Sequence, residues 1–67
     1  MDITDEDFIA LLNKTADTLG WTDKDIGRCI GVSLTTVGRW RQGKSSPHPA
    51  MRPLVVEALQ EALQGKV

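Results

Sequence analysis

The sequence predicts an all-α protein, a small four-helix bundle with a five-helix bundle as the alternative, and three observations carry that expectation. A helix-start device recurs along the chain, glycines stand where the helices it starts should stop, and no strand signal competes with it. A Ser or Thr at the N-cap satisfies a first-turn amide, and an apolar residue before it packs on one after that turn. Thr4 has Asp7 three residues on with Ile3 and Phe8 as the staple, Thr22 has Asp25 with Trp21 and Ile26, and Ser33 has Thr36 with Val32 and Val37. There is no Tyr, no hairpin dipeptide and little β-branched alternation.

The first helix is expected from about Asp5 to Leu19, with Phe8, Leu11, Leu12, Thr15 and Leu19 on one stripe and Gly20 as its stop. A second should run from about Asp23 to Ile30, burying Ile26, Cys29 and Ile30, with Gly27 allowing a neighbour to approach closely. Gly31 supplies a turn. The third helix is expected from about Leu34 to Gln42, with Val37 and Trp40 inward and Gly43 as its end. Lys44 to Pro49 reads as a loop, because Ser45, Ser46, Pro47, His48 and Pro49 do not continue a helix. Pro53 lacks an amide hydrogen and fits a first turn, so the fourth helix should begin between Ala50 and Pro53 and end near Gln64. Its apolar side is Leu54, Val55, Ala58, Leu59, Ala62 and Leu63, with Gly65 closing it.

Sixty-seven residues make one domain, 1–67, whose core leaves little stability to spare. The single Cys29 forms no internal disulfide, and the chain shows neither a signal-peptide pattern nor an apolar run long enough to cross a bilayer. A cytoplasmic protein without membrane contact is expected. The net charge of −1 argues against nonspecific polyanion binding, but it hides a strong asymmetry. Met1 to Asp25 holds seven acids against Lys14 and Lys24, a net of −5; Ile26 to Val56 holds no acid, and Arg28, Arg39, Arg41, Lys44 and Arg52 give +5; Glu57 to Val67 adds −1. A phosphate backbone rewards such a local patch, because each contact releases condensed counterions regardless of charge elsewhere.

The run from Trp21 to Lys44, W-T-D-K-D-I-G-R-C-I-G-V-S-L-T-T-V-G-R-W-R-Q-G-K, resembles the helix-turn-helix of the Cro/C1 phage-repressor family. The matching points are the capped second helix, Ile26, small Gly27, turn Gly31, the Val32 and Ser33 pair, Val37, Trp40, and the Gly43 and Lys44 end. The resemblance implies a lambda-repressor-like bundle and a transcriptional regulator, a Cro-like repressor of phage or prophage origin. Its third helix would enter the major groove of double-stranded DNA. By position it makes Leu34, Thr35, Gly38 and Arg39 the base-reading set. Arg39 could take guanine O6 and N7, Thr35 a base or a phosphate, and Leu34 a thymine methyl, while Gly38 offers close backbone approach. Phosphate contacts would fall to Thr22, Ser33, Arg41, Lys44, Ser45 and Ser46. The resemblance also implies a homodimer, expected to be weak in free solution and stronger on DNA, with Leu59, Ala62 and Leu63 able to serve either the core or a second copy.

Asp23 departs from that pattern. A carboxylate at the start of the second helix repels DNA unless it turns away or pairs with Lys24 or Arg28, and together with Asp25 it is explained by capping and dipole compensation. Trp40 and Trp21 read as core and staple rather than as base-stacking surfaces, Cys29 as a small buried hydrophobe, and His48 as a loop residue without a special task. No catalytic set, metal-ligand spacing or phosphate-cradling glycine loop is present, so no enzyme, cofactor, metal site or small-molecule ligand is expected. The alternative to a DNA-binding regulator is a helix-turn-helix fold reused as a protein-interaction module (an antirepressor, antitoxin or assembly factor) with the acidic first third as its contact surface.

Overall fold

The computed structural model describes residues 4–65 and contains four helices in the order α1 (Asp5–Leu19), α2 (Asp23–Ile30), α3 (Leu34–Arg41) and α4 (Arg52–Leu63), with no strand among the described residues. Each of the three start signals forms as a hydrogen bond. The Thr4 hydroxyl accepts from the Asp7 amide at 3.1 Å, that of Thr22 from Asp25 at 3.3 Å, and that of Ser33 from Thr36 at 3.2 Å. In α2 the cap is reciprocal, since the Asp25 carboxylate accepts from the Thr22 amide at 3.0 Å. Ile3, half of the first expected staple, lies outside the described residues.

The helix ends share one device as well. The amides of Trp21, Val32 and Lys44 reach back to the carbonyls of Ala16, Gly27 and Arg39, six residues to one, each across a glycine with positive φ at Gly20, Gly31 and Gly43. The third helix ends at Arg41 with Gln42 as its cap, one residue earlier than expected.

An eight-residue helix does not persist alone, so packing must hold α2 and α3. The core is Phe8, Leu12 and Ala16 from α1, Ile26 from α2, Val37 and Trp40 from α3, and Val55 and Leu59 from α4. Phe8 meets Trp40 edge to face with centroids 5.8 Å apart. Buried Thr15 returns its hydroxyl to the Leu11 carbonyl at 2.8 Å, so its polar group is satisfied within α1. Arg52 lies 5.5 Å over the Phe8 ring and pairs with Asp5 at 2.7 Å, tying the start of α4 to the start of α1.

Several expectations are corrected. Cys29 is exposed rather than buried, and Ile30 is half-buried. The reason is Gly27: the turn packs on it, so α2 buries the face shared by residues 26, 27 and 30, and Cys29 stands about 100° from its centre at the helical angular step. Leu54 is 67% exposed, because the stripe that α4 turns inward is Val55, Leu59 and Ala62. On α1 Ala16 is buried, while Leu11 and Leu19 are only partly so. Leu59 and Ala62 are consumed by the protein's own core, leaving Leu63 half-buried, so of the three residues that could serve a second copy two are unavailable to it.

His48 has a structural task. Its Nδ1 accepts from the Ala50 amide at 3.0 Å, and its carbonyl accepts from Met51 at 2.8 Å and Arg52 at 3.1 Å, forming the turn that launches α4. Met51, at the N-cap, makes no side-chain cap bond, so the His48 turn takes over that role, with Pro47 buried beneath it.

At Gly27 an added Cβ would overlap the Val32 carbonyl oxygen and touch the Ser33 carbonyl at 3.4 Å, and these are backbone atoms with little freedom to move. Ala improves helix propensity by roughly 1 kcal/mol, whereas overpacking costs roughly 1–3 kcal/mol. Because the overlap is with backbone the cost falls at the upper end, so Gly27→Ala is expected to lose about 2 kcal/mol in urea unfolding, and an unchanged midpoint would contradict this close approach.

Candidate functional site

The α2 and α3 pair is joined by residues 31–33, and the burial of Val37 and Trp40 decides which side of α3 faces out. That outer side carries Leu34, Thr35 and Arg39, all exposed, with Leu34 at 54%. Gly38 is half-buried between them, and a Cβ there would lie 3.5 Å from the Asp23 carboxylate. Four residues expected to act together therefore share one face of one helix, although Gly38 also forms the seat for Asp23.

Beyond α3, the bonds from Gly43 to the Trp40 carbonyl at 3.1 Å and from Lys44 to the Arg39 carbonyl at 2.9 Å fix the chain direction by backbone alone. Lys44, Ser45 and Ser46 follow, exposed, and form one wall of a cleft of about 260 Å³ floored by Phe8 and Ile9 and bordered by Asp5. Arg39 and Lys44 have no ion pair among the described residues.

The start of α2 is organised differently. Asp23 pairs with neither Lys24 nor Arg28; its Oδ1 accepts from Arg41 Nη1 at 2.6 Å, and Arg41 Nε donates to Asn13 Oδ1 at 2.8 Å. This joins α1, α2 and α3 at one corner, with the Arg41 and Asp23 side chains about one-third exposed. Asn13 carried no signal in the sequence reading, and Asp23 and Arg41 are 18 residues apart, so local spacing offered nothing that could link them. The Ser33 hydroxyl is engaged with Thr36, and the Thr22 amide and hydroxyl both donate to Asp25 Oδ2.

Among the described residues no group of three or more His, Cys, Asp or Glu side chains could hold a metal ion, and no helix is long and apolar enough to cross a membrane. Comparison with protein-family models, curated proteins and solved structures gives no match.

Hydrogen bonding from the Thr22 backbone, joined by the Thr22 hydroxyl and the nearby Arg28 and Lys24 charges, holds the Asp25 carboxyl below its ordinary value. A depressed carboxyl contributes stability above its unfolded pKa and loses it as the pH falls through its folded one. Asp25→Ala is therefore expected to lower the melting temperature at neutral pH and to have a much smaller effect in strong acid. Equal losses at both pH values would show that the cap does not depend on the charged form.

Proposed function

We propose that this protein is a sequence-specific DNA-binding regulator whose α2, turn and α3 act as a helix-turn-helix, with α3 inserted in the major groove. The observation that carries this reading is the outer face of α3, where Arg39 stands exposed and unpaired among the described residues, one turn beyond exposed Leu34 and Thr35. Arg39 suits guanine O6 and N7, Thr35 a base or phosphate oxygen, and Leu34 a thymine methyl, while Gly38 keeps the centre of the face low. The resemblance to Cro/C1 repressors supports the same assignment and adds a cytoplasmic repressor of phage or prophage type. Backbone contacts fall to Lys44, Ser45 and Ser46; the remaining candidates, Thr22, Ser33 and Arg41, are already bonded within the chain.

Two copies on a pseudo-palindromic site would match the symmetry of such binding. Because the core has taken Leu59 and Ala62, association in free solution should be weak. Sedimentation is expected to show monomer at micromolar concentration and two copies on a two-site duplex; a tight dimer without DNA contradicts this.

The exposure of Met51 at 44% and Leu54 at 67% favours a second reading, a protein-interaction module. Selection on random duplex DNA at two salt concentrations separates the two. An enriched two-fold motif that weakens steeply with salt supports the regulator, and no enrichment supports the module. Within the enriched site, Arg39→Ala is expected to cost roughly 1–3 kcal/mol and relax preference at one position per half-site. An unchanged preference with folding intact would remove Arg39 from the reading face.

A further inference from the structure

Anion binding at a helix N-terminus requires free amides and uncancelled positive charge. At α2 the second condition fails, because carboxylates already offset the positive end of the helix. The Thr22 amide donates to Asp25 Oδ2 at 3.0 Å and the Thr22 hydroxyl to the same oxygen at 3.2 Å, so the cap of α2 already holds a carboxylate. The next residue brings a second carboxylate. Asp23 Oδ1 takes Arg41 Nη1 at 2.6 Å, Asn13 takes Arg41 Nε at 2.8 Å, and Asp23 Oδ2 rests against α3 at Gly38. Arg41 is thereby held by its Nε and one terminal nitrogen, beside an anion that cancels its charge.

We infer that DNA engages this protein through a one-sided phosphate footprint, in which Asp23 and Asp25 fill the α2 terminus and Asp23 withdraws Arg41, leaving the backbone to Lys44, Ser45 and Ser46 beyond α3. This rests on the DNA-binding reading above and deepens it. Asp23 is a positioning residue that limits affinity: it acts through Arg41 and never meets the bases itself. A phosphate approaching the α2 terminus meets the Asp25 carboxylate at the cap and a pair of Asp23 and Arg41 with no net charge to offer, whereas one approaching the end of α3 meets Lys44, which has no ion pair among the described residues.

The test is a salt titration of the full chain on a mixed-sequence duplex, followed by fluorescence anisotropy, comparing the wild type with Lys44→Ala, Arg41→Ala, Asp23→Asn and the double variant Asp23→Asn/Arg41→Ala. Each phosphate neutralised contributes about 0.9 to the slope of log K against log salt, equivalent to roughly threefold in affinity between 50 and 200 mM salt. Lys44→Ala is expected to flatten the slope by about that amount, and Arg41→Ala to leave it unchanged. Asp23→Asn should steepen it by about 0.9 and tighten binding several-fold at low salt, and the double variant should lose that gain. Thermal melting of each variant checks folding. Should Arg41→Ala fail to fold, Arg41→Gln removes the same charge while retaining a side chain that can bond Asn13.

The inference is overturned if Arg41→Ala flattens the slope as much as Lys44→Ala does, or if Asp23→Asn binds no better than the wild type. In either case the DNA reading survives, because the wild type still binds with a slope that depends on Lys44. If neither the wild type nor Asp23→Asn is retained on any duplex at low salt, the DNA reading itself falls and takes this inference with it.

Discussion

The approach of the Val32 carbonyl to Gly27 is the constraint on which the rest of the structure depends. The Gly27 carbonyl in turn accepts from Gly31 at 2.7 Å and from Val32 at 2.9 Å, so one residue both closes α2 and seats the turn. Because the turn lies directly against α2, α3 leaves it in one direction, and Val37 and Trp40 reach the same core as Ile26 and Phe8. That placement leaves Leu34, Thr35 and Arg39 outside. A bulkier residue at Gly27 would lift the turn and tilt the entire outer face of α3, so a backbone contact with no chemistry of its own governs the geometry of the candidate site.

Electrostatics in the folded chain differ from those along the sequence. The acidic first third and the basic middle appear as separate blocks in sequence, but the fold brings their charges together: Asp5 pairs with Arg52, and Asp23 with Arg41. Two of the five cations of the middle block are thereby neutralised by acids of the first. Of the three that remain, Arg28 stands on α2 near the Asp25 carboxylate, while Arg39 and Lys44 lie on the α3 side, a smaller and more directional patch than +5 suggests. Both pairs are partly exposed, so each contributes little to stability as an isolated bridge. Their larger effect is on where uncompensated positive charge is left on the surface.

The start of α4 shows how a weak sequence signal can hide an organised element. Met51 has no capping side chain and Pro53 donates no amide, so little marks the helix beyond its apolar residues. The turn is made by His48, which uses its ring nitrogen and carbonyl together, and by Arg52, which spans from Phe8 to Asp5. An imidazole accepting from an amide two residues ahead imitates an aspartate at such a turn. Composition alone gives no hint that this histidine is used that way.

The sequence by itself determined both ends of α1 and α2 and the start of α3, because caps, capping boxes and glycine stops are local: Thr22 with Asp25 and Gly31 are legible within ten residues of chain. It also determined the inward residues wherever a helix has one dominant stripe, as with Phe8, Leu12, Val37 and Trp40, and hence the outer face of α3. Tertiary structure decided what depends on a neighbour approaching from elsewhere in the chain. It turned Cys29 outward by packing the turn on Gly27, left Leu54 exposed, drew Leu59 and Ala62 into the core, and joined Asp23 to Arg41 and Asn13. Periodicity locates a stripe but not the rotation of a short helix about it, and side chains 18 or 28 residues apart acquire a relationship only when helix packing brings them to one corner.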